Sequence, residues 1–241
     1  MHTIINELNI KLFADGADVE TMVKMAKKPL IKGLTTNPTL MRKAGIENYR
    51  EFATEVLKEI KDKPISFEVF TDNLDEMVSQ GIEIASWGKN VNVKIPITNT
   101  SGTSTHSVIK YLSEQGIPLN VTAIFTLEQV ETLLDALSNN TPSYVSIFAG
   151  RIADTGRDPR PVMKEALEIL RVKPLSELIW ASPRELLNVV QADEIGCHII
   201  TATSDILNKI EIIGKDLNQY SLETVKMFYD DAMASGYTLY K

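Results

Sequence analysis

A lysine in the middle of an apolar run is the first residue of this chain whose type and setting suggest chemistry. Lys94 lies in Val91–Ile97, between Val93 and Ile95. Such a run has the length and composition of a β-strand. Side chains alternate across a strand, so Val91, Val93, Ile95 and Ile97 share one face while Asn92, Lys94 and Pro96 share the other. Three more runs split the same way. Ile65–Phe70 sets Ser66, Glu68 and Phe70 against Ile65, Phe67 and Val69. Leu119–Phe125 sets Asn120, Thr122 and Ile124 against Leu119, Val121, Ala123 and Phe125. Tyr144–Gly150 sets Tyr144, Ser146, Phe148 and Gly150 against Val145, Ile147 and Ala149.

A lysine on the mixed face of a buried strand can act as a nucleophile. Burial disfavours the ammonium, and the neutral amine attacks a ketone to form an imine. Once protonated, the imine is an electron sink, so the neighbouring C–C bond can break without a metal. Carboxylates must then move protons. Glu68, and Asp15 at the end of Lys11–Asp15, are the candidates. Both acids favour the ammonium of Lys94, against the effect of burial.

These residues need a scaffold that turns several strand faces to one point. Eight strand-like runs occur: Lys11–Asp15, Gly33–Asn37, Ile65–Phe70, Val91–Ile97, Leu119–Phe125, Tyr144–Gly150, Leu178–Ala181 and Ile199–Ala202. Helical patterns separate them at Tyr49–Ile60, Asp72–Ser86, Ser104–Gln115, Thr126–Leu137, Pro161–Leu170 and Pro183–Ala192, with Thr71 or Asp72, Thr126 and Ser182 as caps. Gly116 and Gly196 stand near helix ends. Repeated βα units of this number predict a single (β/α)8 TIM barrel over residues 1–241. A doubly wound open sheet is the alternative; it commonly opens on a glycine-rich phosphate loop, and neither GxGxxG nor GxxxxGK[ST] occurs. Ser221–Met233 reads as an additional C-terminal helix that covers the barrel or docks on a neighbouring subunit. In a barrel, the apolar strand faces pack on the helices and the mixed faces line the interior. That gathers Glu68, Lys94, Asn120, Thr122 and Ser146.

An anion site is predicted at the C-terminal ends of the later strands, where active sites of this fold are built. Arg151 follows the sixth run and Arg184 the seventh, and Ser182 adds a hydroxyl and the N–H groups of a helix start. The structural alternative pairs Arg151 with Asp154, and Arg184 with Glu185 or another neighbour. His2, His106 and His198 show no ligand spacing, so no metal and no cofactor are expected. Cys197 reads as a small buried hydrophobe, Ser101–Ser104 as a loop or cap, and Trp87 and Trp180 as packing residues.

Composition bounds the rest. The chain has 241 residues, 44% of them hydrophobic and 24% charged, enough for a sizeable core. A net charge of −7 argues against a nucleic-acid partner. The lone cysteine precludes an internal disulfide and fits a reducing compartment. With no apolar run of membrane-spanning length and no signal-peptide pattern in Met1–Asn9, a cytoplasmic location is expected.

The motifs together resemble the transaldolases, including the small subfamily that contains fructose-6-phosphate aldolase. The matching stretches are FADGAD (Phe13–Asp18), GLTTNPT (Gly33–Thr39), FEVF (Phe67–Phe70), VKIPIT (Val93–Thr98), NVTAIF (Asn120–Phe125), IFAGRIAD (Ile147–Asp154), WASPRE (Trp180–Glu185) and GCHIIT (Gly196–Thr201). They follow the eight runs in order. The resemblance implies Lys94 as Schiff-base lysine, Glu68 as proton shuttle through a water held with Thr122, and Asp15 as the assistant at the substrate hydroxyl. It further implies Asn37, Asn120 and Ser146 on substrate hydroxyls, Phe148 beside them, and Arg151, Ser182 and Arg184 on a phosphate. The aldolase branch resembles this chain with Gln and Tyr at the positions of Glu68 and Phe148. The pair found here therefore implies transfer of a dihydroxyacetone unit between sugar phosphates over its release. Gly16, Ala17 and Pro183 depart from the family pattern. A homo-oligomer is implied too. The rival readings are an aldolase releasing free dihydroxyacetone and a non-catalytic sugar-phosphate-binding barrel.

Overall fold

A computed structural model describes residues 8–239. Eight parallel strands close into a barrel in chain order: β1 (Lys11–Asp15), β2 (Ile31–Thr35), β3 (Ile65–Glu68), β4 (Val91–Pro96), β5 (Leu119–Ile124), β6 (Ser143–Ile147), β7 (Ser176–Trp180) and β8 (Ile199–Thr203). β8 closes the ring on β1, with Asp15 opposite Thr203. Helices alternate with the strands: α1 (Val19–Ala26), α2 (Pro38–Lys43), α3 (Tyr49–Glu59), α4 (Leu74–Ala85), α5 (His106–Glu114), α6 (Leu127–Glu131), α7 (Ala149–Asp154), α8 (Arg160–Leu170), α9 (Leu187–Glu194) and α10 (Ser204–Leu207). This is the (β/α)8 TIM barrel. The strands and these helices form one compact unit, Asn9–Asn208. A second begins at Lys209 and holds a short 3₁₀ turn (Ile210–Ile212) and the additional helix α11 (Leu217–Ala234).

The apolar strand faces do what alternation requires. Val93, Val121, Val145 and Leu178 are fully buried. Outside β3, Phe67 meets the rings of Tyr49, Phe52 and Trp87 edge-on. Burial of this apolar surface is the main stabilising term, at roughly 25 cal/mol per Å². Inside, Phe13, Ile179 and Ile199 form a floor against which Tyr144 and Phe148 pack. Phe13 fits because Gly33 has no side chain: a β-carbon at position 33 would lie 2.5 Å from the Phe13 ring.

Several boundaries differ from the sequence reading, each for a local reason. β2 ends at Thr35 because Asn37 caps α2, accepting from Leu40 N at 2.9 Å, with Pro38 in the first turn. Asn73, not Thr71 or Asp72, caps α4. Thr126 and Gln129 form a capping box, yet α6 stops at Glu131 and the chain continues in turns through Leu137. Phe148 and Gly150 leave the sixth strand, since α7 starts at Ala149. Ser182 does not begin a helix; α9 starts at Leu187 with no side-chain cap. On β5, Ala123 has φ 60° and the pairing register shifts between Val121 and Ile124. This bulge reverses the alternation. Ile124 therefore packs outward beside Ile147, while Ala123 and Phe125 turn to the cavity, opposite to the faces expected.

Candidate active site

The C-terminal mouth of the barrel opens into a cavity of about 540 Å³. All eleven residues expected in the site line it: Asp15, Asn37, Glu68, Lys94, Asn120, Thr122, Ser146, Phe148, Arg151, Ser182 and Arg184. Strands carry six of these, Asp15, Glu68, Lys94, Asn120, Thr122 and Ser146; Asn37 enters from the cap of α2, and the backbone beyond β6 and β7 brings the rest.

Lys94 is buried, with 6% of its surface exposed. Register pairs it with Glu68 on β3 and Asn120 on β5. Its amine lies 3.1 Å from Glu68 Oε2 and donates to the Thr36 carbonyl at 3.0 Å. Behind it runs a buried chain: Asn120 Nδ2 donates to Ser66 Oγ at 2.9 Å, and Ser146 Oγ donates to Asn120 Oδ1 at 2.7 Å. That chain fixes which end of the Asn120 amide faces which strand. Asp15 is held from the end of β2 and the cap of α2: Thr35 Oγ1 donates at 2.8 Å and Asn37 Nδ2 at 3.1 Å, and Thr35 is 2.5 Å from Thr201 Oγ1. Burial pushes the Asp15 carboxyl above its ordinary range, although the Lys94 charge and both hydrogen bonds pull it down. Thr122 Oγ1 is buried and has no hydrogen-bonding partner among the described residues.

The opposite rim carries the arginines. The Arg151 guanidinium stacks 5.7 Å from the centre of the Phe148 ring, and Phe148 tilts against Phe125 at 5.8 Å. Arg184 is not free. It donates to Asp154 through Nε at 3.0 Å, which holds the Asp154 carboxyl below its usual range. The structural alternative is thus half realised: Arg184 has an acidic partner, but the partner is Asp154 and not Glu185, and Arg151 makes no close ion pair among the described residues. Ser182 sits in the left-handed region with φ 58°.

Sequence reasoning missed Thr35, Thr201, Thr203, Lys43 and Phe125, which also line the cavity. Alternation applied to β2 and β8 would have found the threonines; the bulge at Ala123 hid Phe125. The remaining singled-out residues lie elsewhere. His106 Nε2 meets Asp135 at 2.9 Å, and His198 Nδ1 accepts from Leu178 N. Burial lowers the His198 pKa and raises that of the Cys197 thiol to about 12. Thr98 and Ser104 form an isolated bridge that closes the Ser101–Ser104 loop. Trp180 is fully buried. His2 lies outside the described residues. Among those residues, no group of three or more His, Cys, Asp or Glu is arranged to hold a metal, and no helix is long and apolar enough to cross a membrane.

Comparison with known proteins gives three kinds of similarity. The family model described as Transaldolase/Fructose-6-phosphate aldolase matches residues 12–238. A protein of Methanococcus maripaludis (strain C7) named "Probable transaldolase" is 35% identical over 205 residues, covering 83% of this chain and 89% of the relative. One of the same name from Clostridium kluyveri is 37% identical over 199 residues, covering 82% and 88%. Among solved structures, an N-acetylneuraminate lyase from Mycoplasma synoviae superposes with a TM-score of 0.53 at 13% identity, over 92% of this chain and 80% of that one. That last likeness concerns the fold alone.

Proposed function

The chain belongs to the transaldolase/fructose-6-phosphate aldolase family, and from that premise we propose that it transfers a dihydroxyacetone unit between sugar phosphates through a Schiff base on Lys94. The observation that carries this is the buried Lys94 amine, 3.1 Å from Glu68, in a cavity that also holds Asp15.

The steps follow from the positions. Lys94 gives its proton to Glu68 and attacks the ketose carbonyl at C2. The carbinolamine loses water as Glu68 returns a proton, through a water that we assign to the unpartnered Thr122 hydroxyl. Asp15 then takes the proton of the C4 hydroxyl, the C3–C4 electrons flow into the iminium, and the aldose phosphate leaves. The enamine attacks the aldehyde of a second aldose phosphate, Asp15 returns its proton, and hydrolysis frees Lys94. Ser146, Asn120 and Asn37 hold the hydroxyls of the dihydroxyacetone unit. Arg151, Ser182 and Arg184 receive the phosphate, where charge-assisted hydrogen bonds give the strongest recognition.

Release of free dihydroxyacetone is the second reading, and the identities of Glu68 and Phe148 favour transfer over it. Borohydride reduction in the presence of fructose 6-phosphate tests the first step: folded protein without an adduct on Lys94 ends the Schiff-base assignment. Product analysis with and without erythrose 4-phosphate separates the two outcomes. Turnover independent of the acceptor favours release, and Phe148→Tyr is expected to increase it. A thermal shift with sugar phosphates but no turnover would instead leave a binding protein. A cytoplasmic homo-oligomer is the setting we assign. α11 leaves Leu217, Leu222, Val225, Phe228 and Tyr229 exposed, and solution mass measures the assembly.

A further inference from the structure

Gly150 stands in the first turn of α7, one residue before Arg151. A β-carbon at this position would lie 1.6 Å from the Ser182 carbonyl oxygen, 2.6 Å from its carbonyl carbon and 3.3 Å from Pro183 Cα. The atoms it would meet are backbone, so no change of rotamer removes the overlap. Either α7 or the segment leaving β7 would have to shift.

That segment is already unusual. Ser182 is left-handed at φ 58°, a conformation that residues other than Gly, Asn and Asp seldom adopt. It also precedes Pro183, which ordinarily drives its neighbour to extended backbone. Such a conformation persists only when its surroundings over-determine it. Here α7 grips the segment at two points. Gly150 N donates to the Ala181 carbonyl at 3.3 Å, just before Ser182. Asp154, at the other end of α7, binds the Arg184 guanidinium, just after it. Ser182, Pro183, Arg184 and Arg151 all face the cavity.

We infer that Gly150 is a positioning residue for phosphate recognition: its missing side chain lets α7 press on the Ser182 peptide and hold the left-handed turn that sets Ser182 and Arg184 on the same arc as Arg151. The inference rests on the reading of these three residues as the phosphate site.

The readout is the ratio of kcat/KM for erythrose 4-phosphate to that for erythrose as acceptor, at saturating fructose 6-phosphate. Borohydride trapping with dihydroxyacetone reports Lys94 separately. Gly150→Ala is expected to lower the ratio by about tenfold or more, mostly through KM, with trapping by dihydroxyacetone retained. Ser182→Thr and Ser182→Asn give a second measurement that does not depend on Gly150→Ala folding. Threonine keeps the hydroxyl but its branched β-carbon opposes the left-handed backbone; asparagine tolerates that backbone. The threonine variant is therefore expected to lose more of the ratio than the asparagine variant. An unchanged ratio in folded Gly150→Ala, an equal loss of rate with both acceptors, or a threonine variant that matches or exceeds the asparagine one overturns the inference. Arg151→Ala tells the two layers apart. If it too keeps the wild-type ratio, the phosphate reading itself fails. If it alone lowers the ratio, that reading stands and only the role of Gly150 falls.

Discussion

The two walls of the cavity are built on different plans. On the Lys94 wall, the side chains Asp15, Glu68, Lys94, Asn120 and Thr122 stand on strands of the barrel. Polar contacts tie them to one another or to Thr36, Ser66, Thr35 and Asn37, with the Thr122 hydroxyl the exception. On the arginine wall, Phe148, Arg151, Ser182 and Arg184 stand on backbone that has left the sheet, and one of its turns is left-handed. The first wall is stiff because Asp15, Lys94 and Asn120 are each held by two polar partners. The second depends on packing between α7 and the segment after β7. Bond making fits the stiff wall, where a shift of an ångström is expensive. Recognition of a charged group through long side chains tolerates the looser one.

The largest effect should come from the stiff wall. Lys94→Ala is expected to lower turnover on the order of 10⁶-fold, the scale of losing a covalent nucleophile, and to abolish the borohydride adduct. Measurable turnover at the wild-type pH optimum would remove Lys94 from the mechanism and with it the contrast between the walls.

Asp15→Asn comes next. Its kcat should fall by about 10²–10⁴-fold, the usual worth of a positioned proton carrier, with KM for fructose 6-phosphate little changed. The same substitution should stabilise the fold. Burial raises the Asp15 pKa above the ordinary 3.8, so the folded state keeps this proton to higher pH than the unfolded state does. Above the raised value, wild type carries the full penalty of a buried carboxylate that the amide lacks. The penalty fades as pH falls toward 3.8. Melting temperatures of the two proteins should therefore differ most near neutrality and converge in acid. A gap that widens on acidification reverses the sign and contradicts the burial argument.

The same division explains how much could be read from the sequence. Lys94, Glu68, Asn120, Thr122 and Ser146 follow from period-two alternation alone, because a closed barrel gives a strand only an inside and an outside. Alternation failed at Ala123, where one left-handed residue moved Phe125 into the cavity and Ile124 out of it. It failed again beyond Ile147 and Trp180, where the strands end sooner than the apolar runs suggest. Arg151 and Arg184 were found from their places after strands, but their partners were not. Whether Arg184 meets Glu185 or Asp154 depends on how α7 packs against another loop, and that contact spans 30 positions in the chain. The close approach at Gly150 has no local signature either, since a glycine after a strand suits many turns.

The arginines offer a finer test of the second wall. Arg151 stacks on Phe148 and makes no close ion pair among the described residues, while Arg184 donates to Asp154 through Nε and Nη2. A phosphate must displace the Asp154 hydrogen bonds from Arg184, whereas Asp154 acts on Arg151 through charge alone. Arg151→Ala should raise KM for fructose 6-phosphate by up to about 100-fold and Arg184→Ala by about tenfold, within the range for hydrogen bonds to charged groups. The reverse order would mean that Asp154 orients Arg184 for the substrate more than it neutralises it.

The smallest effect should come from Ser66, which lies behind the Lys94 wall. Ser66→Ala removes the acceptor of Asn120 Nδ2, leaving a fully buried amide donor unpaired. The expected loss is about 1–3 kcal/mol, a fall of a few degrees in melting temperature for a chain of this size. The amide also loses one of the two bonds that fix its orientation, so KM should rise slightly while trapping at Lys94 continues. If melting temperature falls and every kinetic constant stays at its wild-type value, the buried chain supports the fold only. The stiffness of the first wall would then come from the contacts of Lys94 and Asp15 themselves.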